Sequence, residues 1–182
     1  MRESKREAAL EAAKRIVQRE GVTALSYEAV AAEAALTKGG LLYHFPSRED
    51  LLLALHQYVA DQWEQCMVRE VGQDTVTGLD EDTRTAAYVR ASQNPDRAEL
   101  LLTLEAATQN TAANQVWNGV YQRWAAQEPT AAEDDEAVRR FIARLAADGL
   151  WFYESIADSE LRPEVRARLV EEIIALGQEP IP

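Results

Sequence analysis

Sulfur, imidazole and long apolar runs are all scarce in this chain of 182 residues. Its one cysteine, Cys66, has no partner for an internal disulfide, which points to a reducing, cytoplasmic compartment. With two histidines and that one cysteine, a zinc site of ordinary make-up is short of ligands. No metal or other cofactor is therefore expected. The longest unbroken apolar run is Leu51 to Leu55, five residues, too short for a transmembrane helix or a secretory apolar core. No stretch alternates β-branched with polar residues, so strands are not expected. A nucleophile–base–acid set and a glycine-rich phosphate loop are missing too, and His44 and His56 have no evident partners. An enzyme is not expected.

What remains is apolar, helix-forming and acidic. Apolar residues make up 47%, enough to bury a real core. The net charge of -12 argues against nucleic acid until its distribution is read. Residues 1–50 carry eight Lys/Arg and eight Asp/Glu, whereas residues 51–182 carry 11 and 23. A neutral head on an acidic body suggests two tasks in one chain. The acidity of the body is read as a solvated surface that keeps the chain soluble.

Ala, Leu, Glu, Arg and Gln dominate, and helical spacing recurs throughout. The pattern predicts helices over residues 2–20, 26–34, 37–43, 48–71, 81–92, 97–109, 112–127, 133–157 and 163–177. Gly21 stops the first. Ser26 and Thr37 are N-caps for the next two. Pro46 ends that unit, and Ser47 followed by Asp50 resembles a capping box. Asn94-Pro95-Asp96 and Glu128-Pro129-Thr130 are breaks, and Pro163 opens the last helix. The fold class is all-α, with about nine helices.

The second and third helices are short, amphipathic and joined by Ala35-Leu36-Thr37. This is the spacing of a helix-turn-helix, in which one helix braces another whose first residues enter the major groove. Thr37 and Lys38 stand at the start of that recognition helix, where a hydroxyl and a long cation reach base edges or phosphates. Gly39 and Gly40 are costly in a helix, about 1 kcal/mol each relative to Ala. Either another backbone or DNA approaches closely there, or the helix frays and tightens on binding. The free amides at Ser26 and Tyr27 suit a phosphate, as does Arg48. Arg2, Lys5 and Arg6 are basic and near the head.

The wording of residues 4–56 closely resembles the DNA-binding domain of TetR-family transcriptional regulators. The resemblance rests on Thr37-Lys38-Gly39, Leu41, Tyr43-His44-Phe45 and Ser47-Arg48-Glu49-Asp50-Leu51. It implies that Tyr43 and His44 contact phosphates. It also implies a DNA-binding domain over 1–46 and a helical ligand-binding and dimerisation domain over 47–182. One departure stands out: Ala35 occupies a turn position where the family commonly has Gly. If that position needs positive φ, Ala costs roughly 1 kcal/mol.

In the body, Phe141, Leu145, Gly149 and Phe152 recur at three- and four-residue spacing, as do Leu169 and Ile173 in the last helix. Two such helices from each of two copies would make a four-helix bundle across a two-fold axis. A pocket for a small apolar or aromatic effector is expected from Trp63, Met67, Tyr88, Trp117, Tyr121 and Trp151, with Glu105 as a carboxylate for a cationic ligand. The expected protein is a homodimeric repressor, released from a palindromic operator by that effector and not membrane-bound. The alternative is a helical carrier or interaction module that has lost DNA binding.

Overall fold

The computed structural model describes residues 4–72, 76–92, 96–131, 134–157 and 161–178. Arg2, Asn94-Pro95 of the Asn94-Pro95-Asp96 break, and the first predicted residue of the eighth helix, Glu133, lie outside the described residues. Among the described residues there are nine α-helices and no strand. They are α1 (Lys5–Glu20), α2 (Tyr27–Glu33), α3 (Lys38–His44), α4 (Arg48–Val71), α5 (Glu81–Ala91), α6 (Arg97–Gln109), α7 (Thr111–Trp124), α8 (Asp135–Ile156) and α9 (Pro163–Gln178). A 3₁₀ turn, Val22–Ala24, follows α1 and was not foreseen. No described helix is long and apolar enough to cross a membrane.

Side chains that compete with the backbone elsewhere fix where the helices begin. Ser4, Ser26, Thr37, Asp80, Asp96 and Asp134 each accept a backbone N–H of the first turn of their helix. At α4 the exchange is reciprocal: Asp50 N–H donates to Ser47 Oγ at 3.0 Å, and Ser47 N–H donates to Asp50 Oδ2 at 3.0 Å. Gly21, at φ +87°, ends α1 with its N–H on the Val17 carbonyl.

The chain forms two compact units. The first takes in residues 1–62 and 96–117, so α6 and the start of α7 join the N-terminal helices. Its core holds Leu10, Ile16 and Val17 of α1, Leu25, Val30, Leu41 and Phe45, and Leu51 and Leu55 of α4. Burying each such side chain contributes about 1.5–3 kcal/mol, which is why two seven-residue helices hold their shape. Lys14 on α1 donates to Gln62 at 2.8 Å and pairs with Asp96 at 2.7 Å. Tyr58 donates to Glu11.

The second unit takes in residues 63–95 and 118–182. Here α5, α8 and α9 pack on one another around Ala87, Val89, Ala143, Ala147, Val170 and Ile174. Arg123 grips the Glu64 carboxylate with two hydrogen bonds, 2.7 and 2.6 Å, and Trp124 Nε1 adds a third at 2.8 Å. Those donors hold the Glu64 carboxyl below the ordinary range, Arg123 foremost.

Candidate nucleic-acid interface and aromatic cluster

The turn between α2 and α3 is a Schellman motif. Leu36 N–H donates to the Ala31 carbonyl at 2.9 Å, and Ala35 N–H to Ala32 at 3.4 Å. That geometry requires a left-handed residue at the middle position, and Ala35 supplies it at φ +52°. Ala35→Gly should therefore stabilise the chain by about 0.5 kcal/mol. This is the relief of about 1 kcal/mol of αL strain less the extra entropy that glycine loses on folding. A urea midpoint that rises with unchanged slope would check it.

Thr37 Oγ1 caps α3 by accepting the Gly40 N–H at 3.1 Å. A Cβ on Gly40 would meet that oxygen at 3.2 Å, so Gly40 makes room for the cap. A Cβ on Gly39 would meet nothing within 4 Å, so Gly39 faces open space. A cleft of about 190 Å³ lies along the turn, lined by Lys5, Ala35, Leu36, Thr37 and Gly40. Lys5 thus brings a cation close to the start of α3.

Tyr43 is 84% exposed, and its visible contact is an edge-to-face approach to the His44 ring at 5.2 Å. Its neighbours along the face, Lys38, Gly39 and Leu42, are exposed as well. Lys38 Nζ is 2.5 Å from Glu28 Oε1, and its hydrogen bond holds the Glu28 carboxyl below the ordinary range.

Two residues read from the sequence as phosphate contacts have internal work. The Tyr27 hydroxyl donates to the Phe45 carbonyl at 2.6 Å, tying the start of α2 to the end of α3. Arg48 Nε donates to the Leu25 carbonyl at 3.0 Å and Nη2 to Val22 at 3.3 Å. Ser26 Oγ caps α2 through Ala29 N–H at 3.1 Å. Backbone acceptors leave no mark in a sequence, so these bonds could not be read from it.

The residues read as an effector site are divided between the two units. In the second unit, Trp63 meets Tyr88 and Tyr121 edge to face, at 5.6 and 5.3 Å, and Met67 is fully buried. Trp151 is half-buried, with an indole N–H out of reach of solvent and of any acceptor. The Tyr88 hydroxyl donates to Asp148, and burial pushes its pKa well above the ordinary phenol value.

Trp117 and Glu105 belong to the first unit and meet at His56. Trp117 Nε1 donates to His56 Nδ1 at 3.0 Å. With Nδ1 an acceptor, Nε2 carries the proton and donates to Glu105 Oε2 at 2.9 Å. His56 is completely buried, and burial lowers its pKa from 6.5 despite the Glu105 carboxylate. Because the unfolded chain binds this proton more readily, stability falls as pH drops below about 6.5 toward the lowered native value. In urea titrations, His56→Gln should lose less stability than the natural chain between about pH 7.5 and 5.5.

On the α8 and α9 surface, Leu145, Phe152 and Leu169 are exposed, with Gly149 on the same face of α8. Phe141 and Ile173 are half-buried. Ile142 and Ile156, which share the same spacing, are two further exposed members of this face.

Residues 9–55 match the family model described as bacterial regulatory proteins, tetR family. Residues 82–178 match the tetracyclin repressor-like C-terminal domain. Solved structures share the fold. A transcriptional regulator from Saccharomonospora viridis, in complex with choline, is 22% identical, with a TM-score of 0.67 over 93% of this chain and 94% of that one. A TetR-family regulator from Rhodococcus sp. is 18% identical, with a TM-score of 0.66 over 96% of this chain and 98% of the other. The multidrug binding protein EbrR, complexed with imidazole, is 21% identical, with a TM-score of 0.60 over 98% and 97%.

Proposed function

Since this chain belongs to the TetR family of bacterial regulatory proteins, we propose that it is a homodimeric repressor that leaves a palindromic operator when a small apolar or aromatic molecule binds. Residues 1–46 read DNA, and residues 47–182 bind the effector and dimerise. The observation that carries the DNA-binding reading is Tyr43. A tyrosine 84% exposed beside an exposed Lys38 has no folding role to explain it. A hydroxyl, a cation and a bare glycine backbone on one face suit a phosphate backbone and a groove. Thr37, Gly40, His44 and Ser26 frame that face, while Tyr27 and Arg48 hold it in place.

Dimerisation is supported by α8. Ile142, Leu145, Phe152 and Ile156 lie on one face at three- and four-residue spacing and are 40 to 59% exposed. Leu169 and Leu176 of α9 add to the apolar surface. Such faces are rare on isolated proteins and suit a bundle formed with a second copy. The aromatic cluster of Trp63, Tyr88 and Tyr121 supports an effector site. Similar folds hold choline and ethidium in solved structures. The effector acts by binding the operator-free state more tightly than the bound one.

The test is fluorescence anisotropy with duplex from upstream of the chain's own gene, random duplex as competitor, across a salt series. Binding that resists competitor and weakens steeply with salt supports the repressor. Absence of binding there, and on genomic fragments selected by pull-down, favours a carrier module instead.

A further inference from the structure

The aromatic cluster of the second unit already holds a cation, and it is the chain's own. Arg144 on α8 places its guanidinium carbon 5.3 Å from the Tyr121 ring centre and 5.7 Å from that of Phe141. Asp148, one helical turn on, has Oδ2 3.7 Å from Arg144 Nε, while Oδ1 accepts from the buried Tyr88 hydroxyl. Tyr88 and Tyr121 both flank Trp63. Aromatic faces and a carboxylate around one positive charge are the chemistry that recognises organic cations.

Arg144 is held loosely on its charged side. A separation of 3.7 Å is too long for a hydrogen bond, and the pair is the i,i+4 kind that contributes little. Burial raises the Asp148 pKa, opposed first by the Tyr88 hydrogen bond and then by the nearby guanidinium. Arg144 Nη1 also donates to the Ala126 carbonyl at 2.8 Å. Ala126 lines a cleft of about 210 Å³ whose walls include Glu128 and Asp134. A displaced guanidinium therefore has open space and acceptors close to its present anchor.

We propose that the cluster of Trp63, Tyr88, Tyr121, Phe141 and Asp148 binds an organic monocation with an apolar body, which displaces Arg144 as the built-in occupant. This rests on the reading of the cluster as the effector site and names the ligand class. Arg144 then sets a threshold, because a ligand must compete with a tethered guanidinium. A neutral molecule of the same shape lacks the charge that Asp148 requires.

The full chain is titrated with benzyltrimethylammonium and, separately, with its neutral isostere neopentylbenzene, followed by tryptophan fluorescence and calorimetry. Arg144→Gln should bind the cation about tenfold more tightly, because an occupant has been removed. Asp148→Asn should lose about tenfold or more, and neither change should help the neutral isostere. Equal affinity in Arg144→Gln, or an equal gain for neopentylbenzene, overturns the inference. If Arg144→Gln does not fold by circular dichroism, the natural chain decides. The Arg144 Nε–Hε resonance, identified by its loss in Arg144→Lys, must shift with the cation and not with the isostere; a resonance that stays put overturns the inference. Operator release is measured separately. Cation binding without release upholds this site and sinks only the effector reading. Intact DNA binding with no cation binding sinks only this inference.

Discussion

Tyr43→Ala abolishes most operator affinity and leaves folding untouched. The side chain is 84% exposed, so its removal costs the native state little, within about 0.5 kcal/mol. A hydroxyl on a phosphate is a hydrogen bond to a charged group, about 1.5 kcal/mol or more. In a symmetric dimer each substitution acts once per half-site, so the loss is about 3 kcal/mol, roughly 100-fold in affinity. Tyr43→Phe separates hydroxyl from ring: it should lose most of the same affinity if the phosphate bond dominates. Lys38→Ala gives a different signature. Lys38 is already paired with Glu28 at 2.5 Å, so its net contribution is smaller. It nevertheless carries charge, and its loss should flatten the slope of log affinity against log salt by about one per half-site. Anisotropy across the salt series measures both. Unchanged affinity in Tyr43→Ala would show that α3 does not present its exposed face to DNA.

Leu145→Glu should convert the proposed dimer to monomers of 20.3 kDa. Leu145 is 55% exposed within one copy, so a glutamate there is solvated and the fold survives. Across a two-fold axis the same change buries two carboxylates against apolar partners. It also removes the burial of two leucines, about 1.5–3 kcal/mol each. The combined cost of several kcal/mol raises the dimer dissociation constant by three orders of magnitude or so. Sedimentation velocity reads the mass directly. Operator affinity falls with it, since a monomer holds one half-site. A dimer that persists with undiminished affinity would remove α8 from the interface. Phe152→Glu, two turns further along the same face, then shows whether the seam as a whole or Leu145 alone was misplaced.

The sequence carried the helices well because their ends are written in side chains. The bounds of α4 and α6 were legible to the residue. Ser47 with Asp50, and Asp96, announce those starts locally. The resemblance raised a positive φ at Ala35 only as a condition, and the structure meets it within a turn closed among six consecutive residues. Sites built from distant residues were not. His56 had no evident partner in the sequence, yet it meets Glu105 and Trp117, 49 and 61 positions away. Glu105 was read beside the aromatics, and helix periodicity alone had no means of pairing it with His56. Asp148 follows Arg144 by one helical turn, but the Tyr121 ring beneath the guanidinium comes from another helix, so the group went unread.

The brace behind the recognition helix has an evolutionary consequence. Tyr27 and Arg48 fasten it by donating to the main-chain carbonyls of Phe45, Leu25 and Val22. Every amino acid offers such a carbonyl, so this attachment is indifferent to what the surrounding side chains become. Lys38, Gly39, Leu42 and Tyr43 point outward and contribute little to it. Where α3 reads DNA as proposed, the lettering on that surface is free to drift toward a new operator while its mount stays fixed. A duplicated gene starting from this scaffold would then change its target by surface substitutions, without first passing through a misfolded intermediate.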